Sequence, residues 1–214
     1  QKLLVKKAKQ ARKPIIIATQ MMESMIDSLT PSRAEVNDVA NSVMDGADAV
    51  MLSGETSVGK YPVEVVETMG KIINGVENSP LIRVPNTLPE IKSKRVITKA
   101  VCFHACNIAN ELSASAICTL TNSGYTAWQI SSWRPSAMIL VFTSNKRILS
   151  QLCLLWGVKC IYYDNFVSTD KTVEEVNRLA LEKGFVKKNS LVVNLAAMPV
   201  KDRGQVNTLR ISRL

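Results

Sequence analysis

The sequence predicts an α/β protein made of two parts. Short runs of apolar, β-branched residues alternate with longer segments in which apolar residues recur at helical spacing. Between two such series lies the stretch 78–94, which is rich in Asn, Ser and Pro and has no periodicity, as expected of a linker. The chain has 214 residues. That length suits one or two domains of about 100–200 residues each.

The composition narrows the class of protein. Hydrophobic residues make up 46% of the chain, enough for a packed core. No apolar run reaches the roughly 18 residues that a membrane helix needs. The net charge is +9, with Lys and Arg spread along the chain and densest in 6–13, which we interpret as a solvated helix face. Nucleic-acid binding is the alternative, and a salt-dependent gel shift would be needed to support it.

The start of the sequence and its cysteines bear on how the chain is processed and on its cellular compartment. The chain begins with Gln1, and its basic first segment lacks the apolar core of a signal peptide, so we interpret it as a helix cut from a longer protein. The five cysteines form no C-x-x-C pair, which favours reduced thiols in a cytosolic protein. Cys102 and Cys106 are one helical turn apart, but no second pair accompanies them, so a metal site is not expected.

The first half is predicted to contain two strand–loop–helix units. Its apolar runs Ile15–Ala18 and Ala49–Leu52 are expected to be buried parallel strands. Pro14 should end the first helix. The predicted helices are Lys2–Arg12, Met21–Ser28, Arg33–Met44 and a long helix from Pro62 with the apolar stripe Val65, Met69, Ile72 and Val76.

The second half is predicted to be a three-layer α/β domain. The predicted helices are Arg95–Leu112, Thr126–Ser131, Lys146–Leu155 and Thr172–Lys183, and the predicted strands are Ala116–Thr119, Met138–Phe142, Lys159–Tyr163, Leu191–Leu195 and Asn207–Ile211. Thr172–Glu175 is a candidate capping box, and Gly184 is a candidate helix stop.

The single histidine and the three tryptophans are assigned to packing. His104 falls on the predicted apolar stripe of its helix, which consists of Ile97, Val101, His104, Ile108 and Leu112. We therefore expect a core or interface residue rather than a catalytic base. Trp128, Trp133 and Trp156 are likewise predicted to lie in the core or in an interface.

Two hydroxyl residues mark a candidate ligand site in the first half. Thr19 and Ser53 each follow a predicted parallel strand, at the edge where α/β sheets bind ligands. Ser53 opens the run Ser-Gly-Glu-Thr, whose hydroxyls and carboxylate can position oxygens and relay protons. On spacing alone, the same run can equally be a helix cap.

Most of the chain resembles one enzyme family. The stretch KPIIIATQMMESMI, followed by TPSRAEVNDVANSVMDGADAVMLSGETSVGKYPVEVV, is similar to pyruvate kinases almost continuously. The second half resembles the C-terminal domain of that family through its element order, the loop TNSGYTA and the closing VNTLRI. The resemblance implies an α/β fold with the last two βα units of a TIM barrel in 1–77, a linker in 78–94 and a three-layer α/β regulatory domain in 95–214.

The family resemblance also implies a function. Pyruvate kinases transfer a phosphoryl group from phosphoenolpyruvate to ADP in glycolysis, giving pyruvate and ATP, and use Mg²⁺ and K⁺. The match to ATQ implies that Thr19 contacts the substrate, and the match to SGET implies that Ser53 helps to protonate the enolate intermediate. Five further residues match the family, with packing or subunit contact as the alternative role: Gln20, Arg33, Glu35, Asp38 and Glu55.

Part of the family's active site is expected to precede this sequence. The catalytic lysine, the carboxylates that hold the divalent ion and the nucleotide-binding residues all come before the segment that matches Gln1. Phosphoryl transfer depends on metal and cationic neutralisation of the developing charge. We therefore expect no metal site in this chain and no catalysis by the chain alone.

The second candidate site is a loop between a strand and a helix. It resembles the family's loop that binds one phosphate of an allosteric sugar phosphate such as fructose 1,6-bisphosphate, which assigns Thr121, Asn122, Ser123, Gly124, Tyr125 and Thr126. Hydroxyls and the free N–H groups of a helix start suit a phosphate, and an ordinary capped helix start is the alternative.

The sequence departs from the family at two points near this loop. Tyr125 stands where a basic residue is common, so a positive charge is lost. Met198–Gln205 replaces a Gly-rich effector loop found in some members, with Lys201 and Arg203 as candidate replacements for the charge.

The resemblance finally implies a cytoplasmic homotetramer whose C-terminal domains meet across subunits, regulated by a sugar phosphate or AMP. Neither a nucleic acid nor a membrane is an expected partner. The alternative function is a stand-alone module that binds a sugar-phosphate or nucleotide effector and mediates oligomerisation.

Overall fold

The computed structural model describes residues 1–11, 13–79, 95–166, 168–198 and 204–214. They form two compact units, one within Gln1–Arg83 and the other within Val84–Leu214. In these described ranges, no helix has both the length and the apolar character that crossing a membrane requires.

The first unit contains a short parallel strand pair and several helices. The strands are β1 (Ile16–Ile17) and β2 (Ala49–Val50), and the helices are α1 (Lys2–Gln10), a 3₁₀ turn (Glu23–Ile26), α2 (Arg33–Asp45), α3 (Gly54–Ser57) and α4 (Pro62–Glu77). In the strand pair, Ile16 lies opposite Ala49 and Ile17 opposite Val50.

The core of the first unit is rich in methionine. Met22 and Met25 are fully buried, and they pack with Val39 of α2 and Val65 of α4. Methionine suits such a site because its flexible thioether chain fills irregular gaps. Val65 and Met69 are buried, which confirms the inward face of the apolar stripe predicted for α4.

The prediction that both strands of the first unit are buried is wrong. Ile16 is 43% exposed, and Met51, just after β2, is 41% exposed. Parallel strands are fully buried only when they have neighbours on both sides and helices on both faces. Within the described residues, β1 and β2 have only each other as neighbours. Some of the apolar surface of these two runs therefore stays exposed, because the described residues of this unit do not cover it.

The second unit is built on a five-stranded sheet of order β5-β4-β3-β6-β7. The strands are β3 (Ala116–Leu120), β4 (Met138–Thr143), β5 (Val158–Tyr162), β6 (Leu191–Ala196) and β7 (Thr208–Arg213). The first four are parallel, and β7 pairs antiparallel with β6. The helices are α5 (Val96–Glu111), α6 (Tyr125–Ser132), α7 (Lys146–Leu152) and α8 (Thr169–Glu182).

Helices cover both faces of this sheet. On one face, α5, α6 and α7 pack over Ile117, Ile139 and Val193. On the other face, α8 packs through Val176 and Ala180. Because successive side chains of a strand point to opposite faces, β3 contributes to both cores. The second unit is therefore a three-layer α/β arrangement.

The apolar stripe predicted for α5 is not its buried face. Ile97 is 56% exposed and Leu112 is 41% exposed, and His104 is exposed as well. The buried face carries Cys102, Ala105, Cys106 and Ala109 instead. Small side chains let a helix approach a sheet closely, and α5 is apolar on both sides, so periodicity alone does not select the packing face. His104 is therefore not a core residue, and the other predicted role, in an interface, stays a prediction.

The start of α8 also differs from the prediction. Ser168 is the N-cap and accepts a hydrogen bond from the Lys171 N–H, whereas Thr172 is fully buried. Thr172 points inward with Val173 because the helix begins one turn before the predicted capping box. The predicted stop is confirmed, since Gly184 has φ +71° just after the helix. Trp133 lies in the core beside Phe103, with ring centroids 4.9 Å apart, as predicted.

Phe142 of β4 tests the packing of the second unit. Its side chain is fully buried and contacts the Tyr163 ring edge-on. We expect Phe142→Ala to lower the free energy of unfolding by about 3–5 kcal/mol, because it leaves a cavity. Urea unfolding followed by tryptophan fluorescence measures this, since all three tryptophans lie in the second unit. Lys159→Ala, at an exposed site on β5, is the control, and equal losses in both variants would contradict the packing.

Candidate functional site

Parallel pairing brings two sequence-predicted residues to one edge of the first unit. Thr19 follows β1 and Ser53 follows β2, and both are exposed. The pairing continues toward that edge, because the Met51 N–H donates to the Ile17 carbonyl at 2.9 Å. The segments that flank Thr19 and Ser53 therefore run side by side, and both residues follow the carboxyl ends of their strands.

The loop that carries Thr19 has an unusual backbone. Thr19 and Gln20 both have positive φ, at 74° and 53°. This region is rarely occupied by residues other than glycine, and a β-branched residue such as threonine is especially uncommon there. Each such residue costs on the order of 1–3 kcal/mol, and such strain clusters at ligand sites. The loop is therefore a candidate for ligand contact.

A buried carboxylate joins the two loops. Glu55 is 3% exposed. Its Oε1 accepts the Met22 N–H at 3.1 Å, and its Oε2 accepts the Ser53 N–H at 2.7 Å. Met22 belongs to the segment after β1 and Ser53 to the segment after β2. Glu55 thus fixes the backbone at Ser53 relative to the neighbouring loop.

The surroundings of Glu55 keep it ionised. Burial by itself raises the pKa of a carboxyl group, because it penalises the charged form. Here the backbone N–H groups of Ser53, Glu55 and Met22 outweigh burial, so that the pKa of Glu55 lies below its ordinary value. The ionised form is the better acceptor for both donated hydrogen bonds.

Ser53 occupies the N-cap position of the short helix α3. Its carbonyl accepts the N–H of Ser57 at 3.0 Å. Among the described residues, its side chain accepts no capping hydrogen bond. The backbone of Ser53 thus serves the helix start, while its hydroxyl lies exposed at the strand edge.

Glu35 has a structural role in the first unit. Ser32 is the N-cap of α2, and its N–H donates to Glu35 Oε2 at 2.7 Å while its Oγ accepts the Glu35 N–H, forming a capping box. The Ser24 N–H also donates to Glu35 at 2.7 Å. Burial opposes ionisation, but these serine donors lower the pKa of Glu35. Three other residues that match the family lie exposed: Gln20, Arg33 and Asp38.

The described residues do not form a metal site. Across these ranges, no three His, Cys, Asp or Glu side chains cluster closely enough to hold an ion. Glu35 and Glu55 both already accept backbone N–H groups. The residues present here therefore do not fit Mg²⁺ as a self-contained site.

The second unit contains a cavity of 690 Å³. Its lining includes Leu120 at the end of β3, Thr121 just after β3 and Ala197 after β6. The chain runs from β3 to β4 and β5 on one side, then returns to place β6 on the other side of β3. In open parallel sheets, ligands bind at the carboxyl ends of strands where the strand order reverses in this way. The cavity lies at that switch point.

The predicted phosphate loop forms part of the cavity wall. All of its predicted residues except Gly124 line the cavity. Gly124 has φ +77°, and a Cβ there would lie 3.0 Å from Leu152, so only glycine suits the turn. The Gly124 N–H donates to Thr121 Oγ1 at 3.0 Å, which orders the loop before α6 begins. Two further hydroxyl residues of the loop, Ser123 and Thr126, line the same cavity.

Other cavity residues were not identified from the sequence. They include Arg95, Thr98, Asp164 and Phe166. Arg95 lies over the Tyr125 ring, with its guanidinium carbon 4.5 Å from the ring centroid. No local motif links these residues, because they come from separate elements. Lys201 and Arg203 lie outside the described residues.

Comparison with known proteins identifies the family. Residues 1–66 match the family described as "Pyruvate kinase, barrel domain", and residues 99–212 match "Pyruvate kinase, alpha/beta domain". This chain belongs to the pyruvate kinase family. The sequence resemblance is thereby confirmed.

Curated pyruvate kinases align along nearly the whole chain. The Clostridium acetobutylicum protein is 40% identical over 213 residues, which cover 99% of this chain and 45% of that protein. The Mycobacterium intracellulare pyruvate kinase is 39% identical, covering 100% of this chain and 44% of the relative. The Geobacillus stearothermophilus pyruvate kinase is 40% identical, and the alignment covers 99% of this chain and 36% of that protein. The chain thus spans less than half the length of these relatives.

Glu55→Gln tests the carboxylate that joins the loops. The glutamine has only one acceptor oxygen, so the N–H of Met22 or Ser53 loses its partner. We expect at least one of these two amides to exchange hydrogen about tenfold faster at pH 7, which corresponds to roughly 1.4 kcal/mol. Amide hydrogen exchange measures this. Glu67→Gln, at an exposed site on α4, is the control. Unchanged protection in Glu55→Gln would refute the assigned role.

The same carboxylate predicts a pH dependence. The folded-state pKa of Glu55 is below its ordinary value of 4.5. Its stabilising contribution is therefore complete above pH 4.5 and is lost as the pH falls through the folded-state pKa. Protection of the Met22 and Ser53 amides should decline over that acidic range in the wild type. In Glu55→Gln, this particular decline should be absent.

Proposed function

We propose that this chain is the C-terminal part of a pyruvate kinase. The whole enzyme would transfer a phosphoryl group from phosphoenolpyruvate to ADP, giving pyruvate and ATP. In this proposal, the last two βα units of the TIM barrel lie in 1–77, the linker lies in 78–94, and the regulatory domain lies in 95–214. The observation that carries it is the parallel β1–β2 pair, with Thr19 and Ser53 at its carboxyl edge, in a segment that matches the barrel domain.

Thr19 is proposed to bind the substrate. Phosphoenolpyruvate carries carboxylate and phosphate oxygens, and a hydroxyl can donate a hydrogen bond to either group. The positive φ of Thr19 and its neighbour supports this role, because a strained, exposed loop is held in advance in one conformation. A loop fixed before binding loses less entropy when the substrate arrives.

Ser53 is proposed to help protonate the enolate. When the phosphoryl group leaves phosphoenolpyruvate, the enolate of pyruvate remains and must gain a proton at its terminal carbon. A serine hydroxyl can deliver this proton while it receives another from water, so no serine alkoxide accumulates. The hydrogen bond from the Ser53 N–H to Glu55 supports this role, because it fixes the backbone of Ser53 without using the hydroxyl group.

The remaining parts of the active site are assigned to the portion of the relatives that this chain does not span. That portion would supply the catalytic lysine, the nucleotide-binding residues and the ligands for Mg²⁺ and K⁺. The metal ions would neutralise charge on the transferred phosphoryl group. We further propose that the whole enzyme is a cytoplasmic homotetramer.

The second unit is proposed to bind an allosteric effector that carries a phosphate. The hydroxyl-lined cavity, its position at the switch point and the start of α6 support this role. A stand-alone effector-binding module is the second candidate function. It is favoured by the fact that every described residue lining this cavity belongs to the second unit.

Ser53→Ala in the full-length enzyme tests the catalytic assignment. We expect kcat for pyruvate formation to fall by about 10²–10⁴-fold, the range for loss of a general acid. Exchange of the methyl protons of pyruvate with deuterated water, followed by NMR, should slow in parallel because it uses the same proton transfer. Ser57→Ala, at an exposed hydroxyl residue of α3, is the control. Normal exchange in Ser53→Ala would exclude the proton-relay role.

The chain by itself is expected to be inactive. With phosphoenolpyruvate, ADP, Mg²⁺ and K⁺, the purified chain should form no pyruvate above background in a coupled assay. Turnover by this chain would contradict the proposed location of the lysine and metal ligands. Effector binding without turnover is what both candidate functions predict for this chain, and activity of the full-length enzyme then separates them.

A further inference from the structure

We propose that Arg95 binds the phosphate of the effector and that the Tyr125 ring holds Arg95 in place. This inference rests on the proposed effector site in the second unit. It adds a cationic residue from a different element, 30 residues earlier in the chain than the predicted loop residue Tyr125. It also explains how a site can work with tyrosine at a position where the family commonly has a basic residue.

The position of Arg95 is fixed by the first turn of α5. Arg95 is the N-cap of that helix, and its carbonyl accepts the Lys99 N–H at 3.1 Å. Thr98, on the same turn, is 2% exposed and donates from Oγ1 to the Val206 carbonyl at 3.3 Å. Arg95, Thr98 and Val206 all line the cavity. The helix start is therefore anchored to the cavity wall, while Arg95 itself is exposed.

The Tyr125 ring orients the guanidinium group. The guanidinium carbon lies 4.5 Å from the ring centroid, within the range of a cation–π contact. A guanidinium that stacks through its flat face keeps the N–H groups at its edge available for phosphate oxygens. Stacking also restricts a flexible side chain before the ligand binds, so less entropy is lost on binding.

The two helix starts at the cavity suit the same ligand. Arg95 is the N-cap of α5 and Gly124 is the N-cap of α6, and neither side chain has an acceptor that could cap the helix. The first turns, Val96–Thr98 and Tyr125–Ala127, carry no acidic residue. Helix N-termini favour negative charge, so both helices support an anion beside Arg95.

Asp164 adds a carboxyl group to the lining of the cavity. It lines the cavity together with Arg95, and it accepts a hydrogen bond from the Tyr162 hydroxyl at 2.9 Å. A carboxylate repels phosphate but accepts hydrogen bonds from hydroxyl groups. The proposed ligand is therefore a phosphate ester that also carries hydroxyl groups, with its phosphate at Arg95 and the Tyr125 loop.

Calorimetric titration of the chain tests this assignment. The probes are AMP and fructose 1,6-bisphosphate, with adenosine and fructose as ligands that lack phosphate. For a phosphorylated probe that binds the wild type, we expect Arg95→Ala to raise the Kd about tenfold or more, as for loss of a charge-assisted hydrogen bond. Arg95→Lys should recover only part of the affinity. Arg178→Ala, at a surface arginine of α8, is the matched control and should bind normally.

Tyr125 variants test the positioning role. Tyr125→Phe keeps the ring face and should bind like the wild type. Tyr125→Ala removes the stacking partner and should weaken binding by a few-fold, as expected for loss of an exposed cation–π contact. Combined with Arg95→Ala, it should add nothing further, because the tyrosine would act through the arginine. Additive losses in the double variant would exclude this coupling.

The outcomes separate this inference from the proposed function. If no phosphorylated probe binds the wild type, the effector site itself is wrong. If a probe binds the wild type and both Arg95 variants equally well, the effector site stands and the role of Arg95 is wrong. Binding of AMP alone identifies a nucleotide effector, and binding of the bisphosphate alone identifies a sugar phosphate. In either case, the tenfold loss in Arg95→Ala supports the inference, provided that the variant keeps the wild-type tryptophan fluorescence.

Discussion

Parallel strand pairing is the constraint on which both candidate sites depend. Two parallel strands end at the same edge, so the loops that follow them meet although they are distant in the sequence. In the first unit, this pairing brings the segments after β1 and β2 together, and Glu55 joins them through two backbone N–H groups. In the second unit, the reversal of strand order around β3 opens the cavity. The chemistry proposed for each unit follows from these edges.

The run Ser-Gly-Glu-Thr combines a buried structural residue with an exposed hydroxyl. Its glutamate is buried and accepts backbone hydrogen bonds, whereas the hydroxyl of Ser53 is exposed. Glu35 likewise serves a capping box and the Ser24 segment. Residues that match an enzyme family can therefore be required because they build the loop that presents a neighbour. A buried carboxylate with several N–H donors is suited to this, since its charge is stabilised without a metal or a counter-ion.

The second unit brings together two residues from different helix starts. Arg95, at the start of α5, lies over the ring of Tyr125, at the start of α6. The two residues are brought together by the sheet that both helices cover, not by any local pattern. The same helix α5 illustrates a limit of periodicity. It is apolar on two sides, and the side with the small residues Ala105 and Ala109 packs against the sheet while Ile97 remains exposed.

The order of the elements, the loop positions of Thr19 and Ser53, the candidate loop 121–126 and the family could all be predicted from the sequence. These features depend on caps, turns and periodicity within a few residues, or on long motifs that can be read directly. Four features could not be predicted in this way: the exposure of β1 and β2, the packing face of α5, the hydrogen bonds of Glu55 to two loops and the contact of Arg95 with Tyr125. Each of these depends on neighbours that are distant in the sequence, and a linear pattern carries no information about which distant segments come into contact.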